Sequence, residues 1–91
     1  MTNVKKLLVL ARDDHTEAMR VASGLTIFGH TVRLVFMGDP VADTPENALQ
    51  AESLELADIL PETTLRDQGL PYLDAAALAH AISEADAVIS L

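Results

Sequence analysis

Apolar runs alternate with amphipathic segments along the chain. Residues 5–11 are apolar without alternation after the opening lysines, which is typical of a strand buried on both faces of a parallel sheet. Residues 16–28 carry apolar positions at helical spacing, and residues 31–37 are again apolar and β-branched. The first 39 residues therefore predict one complete βαβ unit.

Two further helices are marked by their start signals. Thr44 followed by Pro45 predicts a helix over Pro45–Leu56, and Asp74 is the predicted N-cap of a third helix. Short strands are predicted at residues 57–60 and 87–91, whereas residues 61–67 fit either a loop or one helical turn. The predicted buried stripes are Ala18, Val21, Ala22, Leu25 and Phe28 in the first helix, and Ala77, Leu78, Ala81, Ile82 and Ala85 in the third.

The order of these elements sets the fold class. Strands that alternate with helices across short loops predict an α/β fold, here a three-layer α/β/α sandwich with a mainly parallel sheet of four to five strands. The length of 91 residues fits a single domain over residues 1–91. In open sheets of this kind, ligands bind beyond the carboxyl ends of the strands.

Polar residues that follow the predicted strands are the candidate ligand-binding residues: Asp13, Asp14, His15, Gly38, Asp39, Thr63, Thr64 and Arg66. The run Asp13-Asp14-His15 fits a divalent-ion or general acid/base site, because adjacent carboxylates attract cations and raise one another's pKa. The same residues also fit capping of the following helix, and we favour that interpretation. Thr63, Thr64 and Arg66 fit an anion site or an ordinary loop.

Charge and composition exclude several functions. The net charge is −8 and the six basic residues are scattered, which argues against nucleic-acid and anionic-membrane partners. No apolar run has the length of a membrane span, so we expect a cytoplasmic protein. The three histidines lack metal-ligand spacing, so neither a metal site nor a cofactor is predicted. The chain has no cysteine, which excludes disulfides and thiol or persulfide chemistry on this chain.

Three segments, in this order and spacing, resemble the DsrE/DsrF-like (YchN-like) family of small sulfur-relay proteins. They are the first βαβ unit with Gly29-His30-Thr31-Val32 and Met37-Gly38-Asp39, the segment Arg66-Asp67-Gln68-Gly69-Leu70, and the closing Ala85-Asp86-Ala87-Val88-Ile89-Ser90. The resemblance implies a parallel sandwich that forms homo- or hetero-oligomers, often trimers or hexamers. It also implies a persulfide-carrying cysteine near the end of the third strand, but residues 59–64 contain none.

The missing cysteine leads to a non-enzymatic hypothesis. We expect a DsrE-like subunit or small-ligand or partner-binding module linked to sulfur metabolism, either a homo-oligomer or a hetero-oligomer with a cysteine-bearing paralogue. The apolar half of the composition supports burial of one face by a partner. One alternative is a small metal-dependent or acid/base enzyme that uses Asp13, Asp14 and His15.

A second alternative is a receiver-like signalling domain, suggested by the acidic pair after the first strand. In that family the phosphoacceptor aspartate ends the third strand, whereas Asp58 precedes Ile59 and Leu60 here. The lysine expected at a later strand end is also missing, because no lysine follows Lys6.

Overall fold

The computed structural model describes residues 4–91 and contains three helices and four strands. The strands are β1 (Lys6–Ala11), β2 (Thr31–Phe36), β3 (Glu62–Thr63) and β4 (Ala87–Ser90); the helices are α1 (His15–Ile27), α2 (Pro45–Leu56) and α3 (Ala75–Glu84). All strand pairs are parallel, and the order in the sheet is β3-β2-β1-β4. The predicted α/β class and parallel sheet are confirmed, with four strands.

Side chains of the two central strands alternate between two apolar clusters. One cluster joins β1 and β2 to α1 and α2: Val9, Ala11, Leu34 and Phe36 with Ala18, Met19, Ala22, Leu54 and Ile59. The other joins the same strands to α3: Leu8, Leu10 and Val35 with Ala81. Because successive strand residues point to opposite faces, α1 and α2 cover one face of the sheet and α3 the other.

Each helix begins at a side-chain cap. The carboxylates of Asp14 and Asp74 accept from the N–H groups of Glu17 (3.0 Å) and Ala77 (2.8 Å), and the Thr44 hydroxyl accepts from the N–H of Asn47 at 3.1 Å. Each cap satisfies a backbone donor that has no partner within the helix. The predicted starts of α2 and α3 are confirmed, and α1 begins one residue earlier than predicted.

The third strand was predicted wrongly at residues 57–60. Asp58 has a left-handed backbone (φ 58°), and the Ile59 N–H donates to the Leu54 carbonyl at 2.9 Å. The backbone at these positions therefore terminates α2 instead of joining the sheet. Pairing with β2 begins only after Pro61, where Glu62 and Thr63 lie opposite Val35 and Phe36.

Two residues of the predicted buried stripes are exposed. Phe28 is 75 % exposed because it follows the last residue of α1, and Ile82 is 42 % exposed beside the buried Ala81. Ile27 and Leu56, at the carboxyl ends of α1 and α2, are exposed as well. Among residues 4–91 no helix has the length and apolarity needed to cross a membrane.

Candidate functional site

The loop after β1 is tied to the end of β4. The N–H groups of Asp13 and Asp14 both donate to the Leu91 carbonyl, at 3.0 and 3.1 Å. This pair of hydrogen bonds fixes the start of α1 at the carboxyl edge of the sheet. The predicted ligand-binding residues of this loop thus lie where ligands bind in open parallel sheets.

The side chains of Asp13, Asp14 and His15 have separate environments. Asp14 caps α1, whereas the His15 Nε2 lies 3.2 Å from the Met37 carbonyl and its ring meets the Phe36 ring edge-on at 5.3 Å. Asp13 is exposed. Among residues 4–91 no group of three or more acidic or histidine side chains is arranged to hold a metal ion. This geometry fits the capping interpretation.

A tight turn follows β2. Gly38 has a positive φ of 85°, and a Cβ at this position would lie 3.5 Å from the Arg12 carbonyl. Glycine adopts this conformation without the steric cost that other residues meet. The turn places the exposed Asp39 and the following Pro40 and Val41 beside the end of β3.

The loop after this turn is anchored by Asn47, a buried residue of α2. Its Nδ2 donates to the Ala42 carbonyl at 2.8 Å, and its Oδ1 accepts from the Thr16 hydroxyl at 2.5 Å. One side chain thus joins α1, α2 and the loop that carries Pro40 and Val41. Asn47 was not among the predicted site residues, since an asparagine in the first turn of a helix is unremarkable by itself.

Thr63 and Thr64 form backbone hydrogen bonds on opposite sides of β3. Its N–H donates to the Pro71 carbonyl at 2.9 Å, and its carbonyl accepts from the Leu73 N–H at 2.8 Å. The Thr63 hydroxyl accepts from the Leu65 N–H at 3.1 Å, while the Thr64 N–H donates to the Phe36 carbonyl at 3.0 Å. The two threonines therefore join β2 to the segment around residues 71–73.

An ion pair on the α3 face fixes the register of β3 against β2. The Arg33 guanidinium donates to both Glu62 carboxylate oxygens, at 3.0 and 2.9 Å. These hydrogen bonds raise the pKa of Arg33 above its ordinary value, although partial burial opposes the shift. Because Glu62 precedes Thr63, the pair also fixes the position of Thr63.

A cavity of about 140 Å³ opens between the end of β2 and β3. It is lined by Phe36, Asp39, Pro40, Val41, Thr63, Gln68 and Leu70. Of the predicted residues, Asp39 and Thr63 lie on its wall. Arg66 instead stacks over the Tyr72 ring, 4.6 Å from the ring centre. The apolar lining was missed because its members come from three segments that look like ordinary core and turn residues.

The lining defines what the cavity accepts. Drug-sized ligands occupy pockets of about 300–1,000 Å³, so this cavity takes only a few heavy atoms or the end of a side chain. Asp39, Thr63 and Gln68 are the polar residues of its lining, and Phe36, Pro40, Val41 and Leu70 are the apolar ones. With an aspartate among the lining residues and a net charge of −8, a neutral or cationic group is favoured over an anion.

A second cavity, of about 190 Å³, lies under α3 near the amino ends of β1 and β2. Lys6, Thr31, Arg33 and Glu84 supply its polar wall, and Leu8 and Ala81 are among its apolar residues.

No family model, curated protein or solved structure matches this chain significantly.

Proposed function

We propose that this chain is a non-catalytic DsrE-like subunit that binds a partner through the cavity beside Thr63. The observation that supports this proposal is the cavity itself, which lies at the carboxyl edge of the sheet in a chain without cysteine. The resemblance implies a persulfide cysteine near the end of the third strand. Here that strand ends at Thr63, whose hydroxyl cannot carry a persulfide.

The size and charge of the cavity favour a side chain from a partner as its occupant. The volume accommodates the end of one side chain, and the negative charge of the lining residue Asp39 favours a neutral or cationic group. The partner is a second copy of this chain or a cysteine-bearing paralogue. A role in sulfur metabolism follows from the resemblance and forms part of the proposal.

The structure gives less support to the two alternatives. An acid/base or metal-dependent enzyme needs Asp13, Asp14 and His15 to converge, but Asp14 caps a helix and His15 contacts Met37 and Phe36. A receiver-like domain has the strand order 2-1-3-4-5, in which the third strand lies beside the first. Here β3 pairs with β2 and β4 pairs with β1.

Filling the cavity tests the proposal. The half-buried Val41 lines the cavity, whereas its neighbour Ala42 is exposed. We expect Val41→Phe to weaken association at least tenfold, because the larger ring occupies the space that the partner's side chain needs. Ala42→Phe is the matched control and should associate like the unmodified protein. Association is followed by sedimentation velocity and by the amide spectra of cavity residues at low and high concentration.

Two results would contradict the proposal. One is Val41→Phe associating as strongly as Ala42→Phe while keeping its fold by circular dichroism. The other is amide spectra in which the resonances of Asp39, Thr63 and Gln68 do not move as the protein is concentrated. Either result would place the contact surface elsewhere.

A further inference from the structure

The two edges of the sheet differ in how their backbone groups are paired. At the β3 edge, Thr63 exchanges hydrogen bonds with Pro71 and Leu73, so this edge is covered by the chain's own backbone. At the other edge, β4 pairs with β1 on one side only, and no other segment within residues 4–91 pairs with its outer side.

The outward backbone groups of β4 can be assigned from its register. Val9 lies opposite Ile89, and the Leu91 N–H donates to the Leu10 carbonyl at 2.9 Å. Because alternate residues of a strand direct their N–H and C=O groups to the same neighbour, Ala87, Ile89 and Leu91 face β1. Val88 and Ser90 therefore direct their N–H and C=O groups outward.

The side chains of this short strand lack the charges and prolines that protect an edge from pairing. Natural edge strands carry lysines, prolines, bulges or inward-pointing charges that prevent pairing with another chain. The four residues Ala87–Ser90 are neutral and contain no proline. Val88 is 42 % exposed and lies on the face that α3 covers, since its partner Leu8 belongs to the α3 cluster.

We propose that β4 pairs in an antiparallel manner with β4 of a second copy, joining two sheets into one of eight strands. A two-fold axis makes the two strands antiparallel and brings the same surface of each copy together. The inference concerns how the proposed subunit assembles, so it rests on the assembly part of the proposed function.

One register pairs all four outward groups of each strand. If Val88 of one copy lies opposite Ser90 of the other, each pair exchanges two hydrogen bonds, which gives four bonds across the axis. Shifting the register so that Ser90 faces Asp86 is poorer, because the Asp86 N–H already donates to the Lys6 carbonyl at 2.7 Å. Shifting it the other way pairs only Ser90 with Ser90 within the strand Ala87–Ser90 and leaves the outward groups of Val88 without a partner in that strand. The preferred register places Ile89 opposite Ile89 on the axis.

Single cysteines test this register directly, because the natural chain has none. In the preferred register Ile89 forms a non-hydrogen-bonded pair with its own copy, with Cα atoms about 4.5 Å apart, which suits a disulfide. The two Val88 residues are diagonal neighbours about 7–8 Å apart, too far for a disulfide without backbone movement. We expect Ile89→Cys to form a covalent dimer on mild oxidation and Val88→Cys to remain largely uncrosslinked.

A proline variant provides a second measurement that does not depend on packing at Ile89. Val88→Pro removes an outward N–H and leaves the hydrogen bonds to β1 intact, whereas Val88→Thr keeps both the N–H and the β-branched shape. With folds verified by circular dichroism, we expect Val88→Pro to weaken self-association at least tenfold and Val88→Thr to leave it within a factor of three.

The outcomes distinguish this inference from the proposed function. Preferential cross-linking of Ile89→Cys together with the proline effect supports edge pairing. Stronger cross-linking of Val88→Cys overturns the register. An oligomer that neither cysteine cross-links and Val88→Pro does not weaken overturns the β4 interface, but it leaves the cavity-based proposal standing. A monomer at every concentration overturns the inference and the homo-oligomeric form of the proposal.

Discussion

Replacing Asn47 with alanine should cost more stability than any other change of a polar residue in α2. The substitution removes the hydrogen bond from the Thr16 hydroxyl (2.5 Å) and the hydrogen bond to the Ala42 carbonyl (2.8 Å). A hydrogen bond of this kind contributes about 1 kcal/mol net, so we expect a loss of about 2 kcal/mol. For a domain of this size the melting temperature should fall by about 8–16 °C.

The assay is urea unfolding followed by circular dichroism, with a double-mutant cycle to isolate one bond. Thr16→Val removes the donor of the first hydrogen bond, so its effect and that of Asn47→Ala should overlap by about 1 kcal/mol. Gln50→Ala, one turn further along α2, is the matched control and should change stability by less than about 0.5 kcal/mol.

The cycle also tests the link to the cavity. The Asn47 side chain donates to the Ala42 carbonyl, so Asn47→Ala should release the loop that lines the cavity. We therefore expect the amide resonances of Asp39 and Val41 to shift in the folded Asn47→Ala variant. Strict additivity of Asn47→Ala and Thr16→Val, or a cost of Asn47→Ala below about 0.5 kcal/mol, would refute the reasoning.

Three further predictions follow from other parts of the structure. Leu34→Ala should cost about 2–5 kcal/mol in urea unfolding because Leu34 is fully buried, whereas Leu49→Ala at a 64 % exposed position should stay within about 0.5 kcal/mol; equal costs would contradict the assigned core. Gly38→Ala should lower stability by about 1–2 kcal/mol because φ is 85°, and an unchanged melting temperature would exclude the left-handed turn. The hydrogen bonds from Arg20 lower the pKa of Glu17 below its ordinary value of 4.5. The stabilisation from this pair is therefore present above pH 4.5 and is lost as the pH falls through the lower pKa of the folded state. A carboxyl NMR titration of Glu17 with its midpoint at or above 4.5 would contradict the ion pair.

The sequence was sufficient to predict those helices and strands whose local sequence signals agree with their packing in the fold. The buried runs of β1 and β2, and the caps at Thr44 and Asp74, predict the structure because periodicity and capping are local properties. The prediction of a strand over residues 57–60 was wrong because Ile59 is apolar for a reason other than burial in the sheet. It packs into the α1–α2 cluster from the end of a helix, and periodicity in so short a segment does not separate the two cases.

The candidate site was only partly predictable. Asp39 could be placed at the carboxyl edge because it follows a correctly predicted strand, and every parallel strand ends there. Thr63 was placed there as a residue that follows a strand at 57–60, whereas it is itself the last residue of β3. The cavity, however, depends on the approach of Leu70 and Gln68 to the turn after β2, and this approach follows from the pairing of Thr63 with residues 71 and 73. The open β4 edge likewise depends on the order of strands in the sheet, which the hydrophobic pattern does not specify.

The mass of the native protein in solution tests the central claim most directly. Light scattering coupled to size-exclusion chromatography should be recorded at neutral pH from dilute to concentrated protein. A subunit that assembles through the cavity and the β4 edge should give a mass that is an even multiple of the 9.7 kDa chain. A mass of one chain at every concentration would contradict assembly with copies of itself and leave only a hetero-partner for the proposed function.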